Sequence, residues 1–341
     1  MSGTTTRIGR NRVAVVTGGT QGIGRATAQL FARRGWSVAV IARGEQALRS
    51  TEAELLTLGA RALAIRADVS DAEAVDAAAE RIERELGPIE AWVNNAMATV
   101  VSAADKITPA EFRRVTDVTY HGQVFGTLAA LRHMKPRRRG AIVQISSGLG
   151  IRAAPLQSAY CAAKGAVQGF TDSLRSELLH DGSPVTLSVV YLPAVNTPQF
   201  GRARNHTGRA QTAPDPVYDP RLCAEAIVHA AEHPQREIWV GRSVLQMAAA
   251  QALAPALGDR VAAGMWDAQL ADRPPVHPDG NLFEPLPGDP GVDGRFTGRV
   301  VQTRDSFWTS RGRNLVTAGL ASLAALGLVS VVAAASAAAR D

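Results

Sequence analysis

The chain has 341 residues, 46% hydrophobic and 20% charged, which excludes disorder throughout and leaves room for one large domain with an extension, or two modest ones. Its two cysteines, Cys161 and Cys223, exclude a disulfide framework, and with no C-x-x-C pair or Cys/His cluster no metal site is expected. The net charge of +6 comes from 37 basic residues, all but three of them Arg, and because these are scattered rather than interleaved with aromatics no nucleic-acid partner is expected.

Residues 1–11 are polar, lack the apolar run of a secretory signal and are expected to be a flexible lead. The chain then alternates short apolar runs with longer Ala-rich amphipathic stretches. Strands are expected over 12–17, 36–42, 62–67, 89–94, 141–146, 185–191 and 237–241. Most are nearly continuous apolar runs, as in a parallel sheet buried on both faces. Helices are expected near 23–34, 45–58, 71–86, 109–135, 157–180 and 220–233. Such alternation predicts an α/β, doubly wound parallel sheet of about seven strands with helices on both faces. Gly35 and Gly87-Pro88 close two helices, Asp71 caps a third, and the charged run 135–140 reads as a solvated turn. Residues 193–219 form a long Pro-containing loop of the kind usually tied to function.

A further helix is expected to end near Gly258, so the domain spans 12–258. Residues 259–313 then read as an arm or linker that wraps the domain or a sister subunit or acts as a spacer to the membrane, because 271–300 hold six Pro and five Gly. Residues 315–339 carry no charge and no Pro. As a helix they would run about 37 Å, enough for a membrane core of about 30 Å. The arginines before this segment would keep the preceding domain cytoplasmic. The Ala-rich composition leaves a packed or dimer-forming helix and a frayed tail as the other readings of 314–340.

Thr17-Gly-Gly-Thr-Gln-Gly-Ile-Gly24 follows the first strand and opens the first helix. Gly18 allows a tight turn, Gly22 lets backbone approach a pyrophosphate, and Gly24 allows close helix–sheet packing. The free N–H groups of the helix start suit phosphate, and Thr20 and Ile23 of the same turn join the cofactor set. At the end of the second strand an acidic residue would hold the 2′-hydroxyl of NAD. Arg43 stands there instead, and with Arg25 it is expected to pair with the 2′-phosphate of NADP(H).

Tyr160 and Lys164 are four apart on a helix, hence on one face. An ammonium within reach of a phenol favours the phenolate and makes it usable as a base. Ser147, at the end of the fifth strand, stands where a substrate oxygen would be held. With these motifs, in this order, residues 10–245 resemble the short-chain dehydrogenase/reductase family, NADP-preferring type, with a Rossmann fold and here a C-terminal extension. Asp68-Val69, Asn94-Asn95-Ala96 and Pro193–Thr197 add to the likeness.

The resemblance implies roles. Tyr160 would be the general acid/base, Ser147 would polarise the substrate oxygen, and Lys164 would bind the nicotinamide ribose. Asp68 and Val69 would contact adenine, Asn94 the adenosine ribose side, and Val195 and Thr197 the carboxamide. Loop 198–219 would cover the substrate. Three positions depart from the family pattern: Met97 and Ala194 stand where glycine is usual, and Thr119 where an Asn often completes a proton relay. The expected function is NADP(H)-dependent hydride transfer with a small-molecule secondary alcohol or ketone, lipophilic if the tail meets a membrane. A non-catalytic NADP(H)-binding sensor and a membrane-tethered scaffold are the alternatives. A homo-oligomer is expected from similar proteins.

Overall fold

A computed structural model of the chain describes residues 12–301 and 307–309. The chain-order elements are β1 (Val13–Thr17), α1 (Gly22–Arg33), β2 (Ser37–Ala42), α2 (Glu45–Thr57), β3 (Ala62–Arg66), α3 (Ala72–Glu85), β4 (Ile89–Asn94) and β5 (Val100–Val101). They continue with α4 (Pro109–Thr116), α5 (Gly122–Met134), β6 (Ala141–Ser147), α6 (Gly148–Ile151), α7 (Ser158–His180), β7 (Thr186–Leu192) and β8 (Arg204–Asn205). Last come α8 (Pro220–Glu232), β9 (Glu237–Val240), α9 (Arg242–Leu253), α10 (Pro255–Gly264) and β10 (Phe307–Thr309).

The main sheet runs β10-β9-β7-β6-β4-β1-β2-β3, and every pairing is parallel except the antiparallel edge β10–β9. The doubly wound Rossmann architecture thus stands as expected, with seven parallel strands and an eighth supplied by residues 307–309. The strands are apolar on both faces because both faces are covered. Val16, Val40 and Val93 pack with Phe31 of α1 and Ile227 of α8. Val15, Ile41 and Trp92 pack on the other side with Ile82 of α3 and Leu174 of α7. From β1 the chain winds outward to β3, then returns to β4 and winds the other way. The crevice beyond the strand ends at that reversal is where such sheets take a ligand.

Local chemistry sets the helix ends. The Asp71 carboxylate accepts the Ala74 N–H, and Thr108 with Glu111 forms a reciprocal capping box at the start of α4. The helix expected over 109–135 is interrupted by a π-helical turn over Asp117–His121, and Pro255 splits the one expected beyond Gly241 into α9 and α10. Glu111, 2% exposed, also accepts from His206 at 2.8 Å and from Arg204, which anchors the loop after β7 to α4.

Of the readings open for the arm, residues 271–301 take the one that wraps the domain, and they lie against it. Leu282 is fully buried in the same core cluster as Trp92. The Asn281 N–H donates to the Arg202 carbonyl at 2.8 Å, and the Gly291 carbonyl accepts the Gly22 N–H at 3.0 Å. Proline and glycine here shape a strap that follows an irregular surface, a use their composition does not distinguish from that of a spacer. No described helix is long and apolar enough to cross a membrane. The expectations for residues 1–11 and for the apolar segment 315–339 fall outside the described residues.

If the strap is part of the folded unit, Leu282→Ala should cost about 2–5 kcal/mol of stability, the usual penalty for emptying a core leucine site. Denaturant unfolding checks this, and a cost below about 0.5 kcal/mol would mean the strap is merely appended.

Candidate active site

The site forms where β6, α7 and the turn after β1 converge. Ser147 ends β6, and its Oγ accepts the Leu149 N–H at 3.1 Å, which caps α6. Tyr160 and Lys164 lie in the first two turns of α7. Tyr160 and Ser147 line the same cavity. Lys164 is 1% exposed, and its Nζ donates to the Ile145 carbonyl at 2.6 Å and lies 5.7 Å from the centre of the Tyr160 ring. Burial pushes the Tyr160 phenol up, and the Ser147 hydroxyl works against it. Burial also pulls the Lys164 amine down to about 7.

These side chains line a cavity of about 700 Å³, within the usual range for small-ligand sites. It also takes in Gly18, Thr20, Gly22, Ile23 and Gly24 of the turn, with Arg43, Asp68, Val69, Val195 and Thr197. The turn is shaped for close approach. Gly18 has φ +64°, and a Cβ on Gly24 would lie 2.3 Å from the Gly18 carbonyl oxygen. One cavity thus joins the glycine-rich turn to Ser147, Tyr160 and Lys164.

Asp68 is held by Arg114 and Ser70. Their hydrogen bonds outweigh its burial and keep the carboxyl below the usual range. Arg43 reaches the groove but is engaged by the strap. It donates to the Phe283 carbonyl at 2.6 Å and to the Asn281 carbonyl, and stands 3.8 Å from Asp68.

Three expected residues do not line the cavity. Arg25 is 6% exposed and turns away into a carboxylate cluster, bonding Glu54 at 2.8 Å, Ser50 at 3.2 Å and Asp289 of the strap. A guanidinium in that pairing is not available to a 2′-phosphate. Asn94 is fully buried. It accepts from Trp92 Nε1 at 2.8 Å and donates to Thr127 and Gln144 at 2.9 Å, so it ties β4 to α5 and β6. The residue after it, Asn95, faces the groove and donates to the Thr17 carbonyl at 3.0 Å. Thr119, in the π-helical turn, donates to the Ala98 carbonyl and accepts the Ala98 N–H, both at 2.9 Å. Its hydroxyl thus closes the chain after β4, and Val118 beside it lines the cavity.

Other lining residues were not legible in sequence. Met247, Leu257, Val261 and Met265 of α9, α10 and the following turn give the same cavity an apolar wall. Gln199 and Arg202 join from the loop after β7, and Asn281, Pro285, Leu286 and Pro290 from the strap.

The short chain dehydrogenase family model matches residues 12–208. YxnA, an uncharacterised oxidoreductase of Bacillus subtilis, is 35% identical over 268 residues, covering 78% of this chain and 75% of the relative. A putative oxidoreductase of Mycobacterium tuberculosis, SadH, is 34% identical, covering 74% of this chain and 95% of that protein. Among solved structures, a short-chain dehydrogenase from Streptomyces avermitilis is similar with TM-score 0.63 and 26% identity, covering 75% of this chain and 95% of that one. An actinorhodin polyketide ketoreductase variant with NADPH is similar with TM-score 0.53 and 32% identity, covering 55% of this chain and 72% of that one. With fold, motif order and family match in agreement, this chain belongs to the short-chain dehydrogenase/reductase family of oxidoreductases, whose members use a nicotinamide cofactor.

Proposed function

We propose that this protein is an NADP(H)-dependent oxidoreductase of a lipophilic secondary alcohol or ketone, with Tyr160 as general acid/base. The observation that carries the reading is the set of Ser147, Tyr160 and Lys164 at one end of a groove whose other end is lined by Arg43. The bound nicotinamide would supply or accept a hydride at the carbinol carbon. Tyr160 would pass its proton to the substrate oxygen during reduction and take it back during oxidation. Ser147, on the same cavity wall as that phenol, would hold the same oxygen in line. Lys164, when protonated, favours the phenolate through space. Its bond to Ile145 fixes the distance at which it acts.

Cofactor preference is read from charge. No carboxylate stands at the end of β2 to receive a ribose 2′-hydroxyl, and Arg43 offers a cation suited to phosphate. The similar ketoreductase solved with NADPH is in line with this choice. Substrate class is read from the wall of α9 and α10. Met247, Leu257, Val261 and Met265 give the carbonyl a largely apolar approach, and burial of a hydrocarbon there contributes roughly 25 cal/mol per Å².

Tyr160→Phe should reduce NADPH-dependent turnover of an accepted ketone at least about a hundredfold, the scale of a lost general acid, with NADPH binding retained. Near-parental turnover would remove the role. Arg43→Asp should move the ratio of kcat/KM values toward NADH, and an unchanged ratio would reject the phosphate assignment. Lys164 gives a pH signature. Its amine is pulled from 10.5 to about 7 on folding, so it costs stability below about pH 7, a cost that fades as pH rises toward 10.5. Lys164→Met should therefore be more stable than the parent near neutral pH and converge with it near about pH 10. Denaturant midpoints across that range check this, and a gap independent of pH would show an ordinary lysine.

A further inference from the structure

The cavity has three arginines on its wall, and they differ in how their charge is met. Arg43 has Asp68 at 3.8 Å. Arg152 has Asp259 at 2.6 Å and the Gln251 side chain at 2.9 Å. Arg202 has no carboxylate partner among the described residues. Its one hydrogen bond runs from a terminal nitrogen to the Leu286 carbonyl at 2.9 Å. Arg202 Nε is buried without an acceptor, and so is the amide nitrogen of Gln199, one helical turn earlier on the same wall. Both residues are half-buried, but each keeps a buried donor atom without an acceptor, which is costly. Burial lowers the pKa of Arg202, with no neighbouring acid to offset it.

The neighbours of Arg202 fix its place along the groove. Gln199 Oε1 lies 3.4 Å from the amide nitrogens of both Gln21, in the glycine-rich turn, and Asn281, in the strap. Thr197, just before, closes over Gly22. The Leu286 carbonyl that holds Arg202 lies three residues beyond Phe283, whose carbonyl holds Arg43. Arg202 is therefore bracketed by the turn on one side and the Arg43 end on the other. The apolar wall of α9 and α10 contributes nothing to this bracket.

We propose that Arg202, assisted by Gln199, binds the diphosphate of the dinucleotide from the side opposite the glycine-rich turn. A diphosphate brings the acceptor oxygens that both orphaned donors lack, and a guanidinium meets two of them at once. The strap supports this contact through the Leu286 carbonyl and through the Asn281 N–H on the Arg202 carbonyl. The assignment rests on the dinucleotide reading proposed above and adds a residue to it.

The test is fluorescence titration of the full chain with NADPH and with NADH, without substrate. Arg202→Gln should weaken both by a similar factor of about tenfold, as expected for one lost charge-assisted contact. Arg202→Lys, which keeps the charge but not the fork, should fall between parent and Arg202→Gln, and it decides the matter if Arg202→Gln does not fold. Parental affinity of these variants for both nucleotides overturns the proposal. A loss confined to NADPH also overturns it, because the contact is then with the 2′-phosphate. A parent chain that binds neither nucleotide removes the dinucleotide reading itself, and this assignment with it.

Discussion

One hydrogen bond organises the reactive end of the groove. The Lys164 amine, buried and short of partners, donates to the Ile145 carbonyl and so locks the start of α7 against the end of β6. Ser147 lies two residues past that carbonyl and Tyr160 one turn before that amine, so their meeting follows from where the bond falls. The amine is costly to bury, and its place beside a phenol at the cavity wall is what the proposed acid–base chemistry would use. Much else is scaffold for this arrangement. Both sheet faces are covered, so the strands cannot slide, and the chain reversal between β1 and β4 opens the crevice in front of it.

What could be read in the sequence was what depends on near neighbours. Strand ends fell within about a residue because continuous apolar runs stop where the turn residues start. Tyr160 and Lys164 were legible because a helix repeats every 3.6 residues. The glycine-rich turn was legible because the strand before it and the helix after it can both be recognised. Residues whose role depends on distant partners were not. Arg25 looks like a phosphate ligand until Glu54 and Asp289 are brought to it from 29 and 264 positions away. Asn94 and Asn95 are adjacent and of one type, and only the register of β4 against β6 decides which is buried. The Thr119 hydroxyl meets a backbone 21 residues earlier across a π-helical turn that no periodicity announces.

The strap was the least legible element, since an irregular chain carries no period to read. Several of its contacts are made by its own backbone carbonyls, which every sequence possesses. Those carbonyls take hydrogen bonds from Arg43, Arg114 and Arg202, and the Gly291 carbonyl takes the Gly22 N–H. The end of the groove beside Gly22 and Arg43 is consequently assembled from the first fifty residues and from residues 281–291 together.

The short antiparallel strand β10 has an effect of another kind. A parallel sheet that stopped at β9 would present a row of unanswered amides and carbonyls, an invitation to any passing extended chain. Residues 307–309 answer that row from within the same molecule, and a three-residue border offers a newcomer little to copy. Self-association through continuous sheet formation at that margin is thereby discouraged.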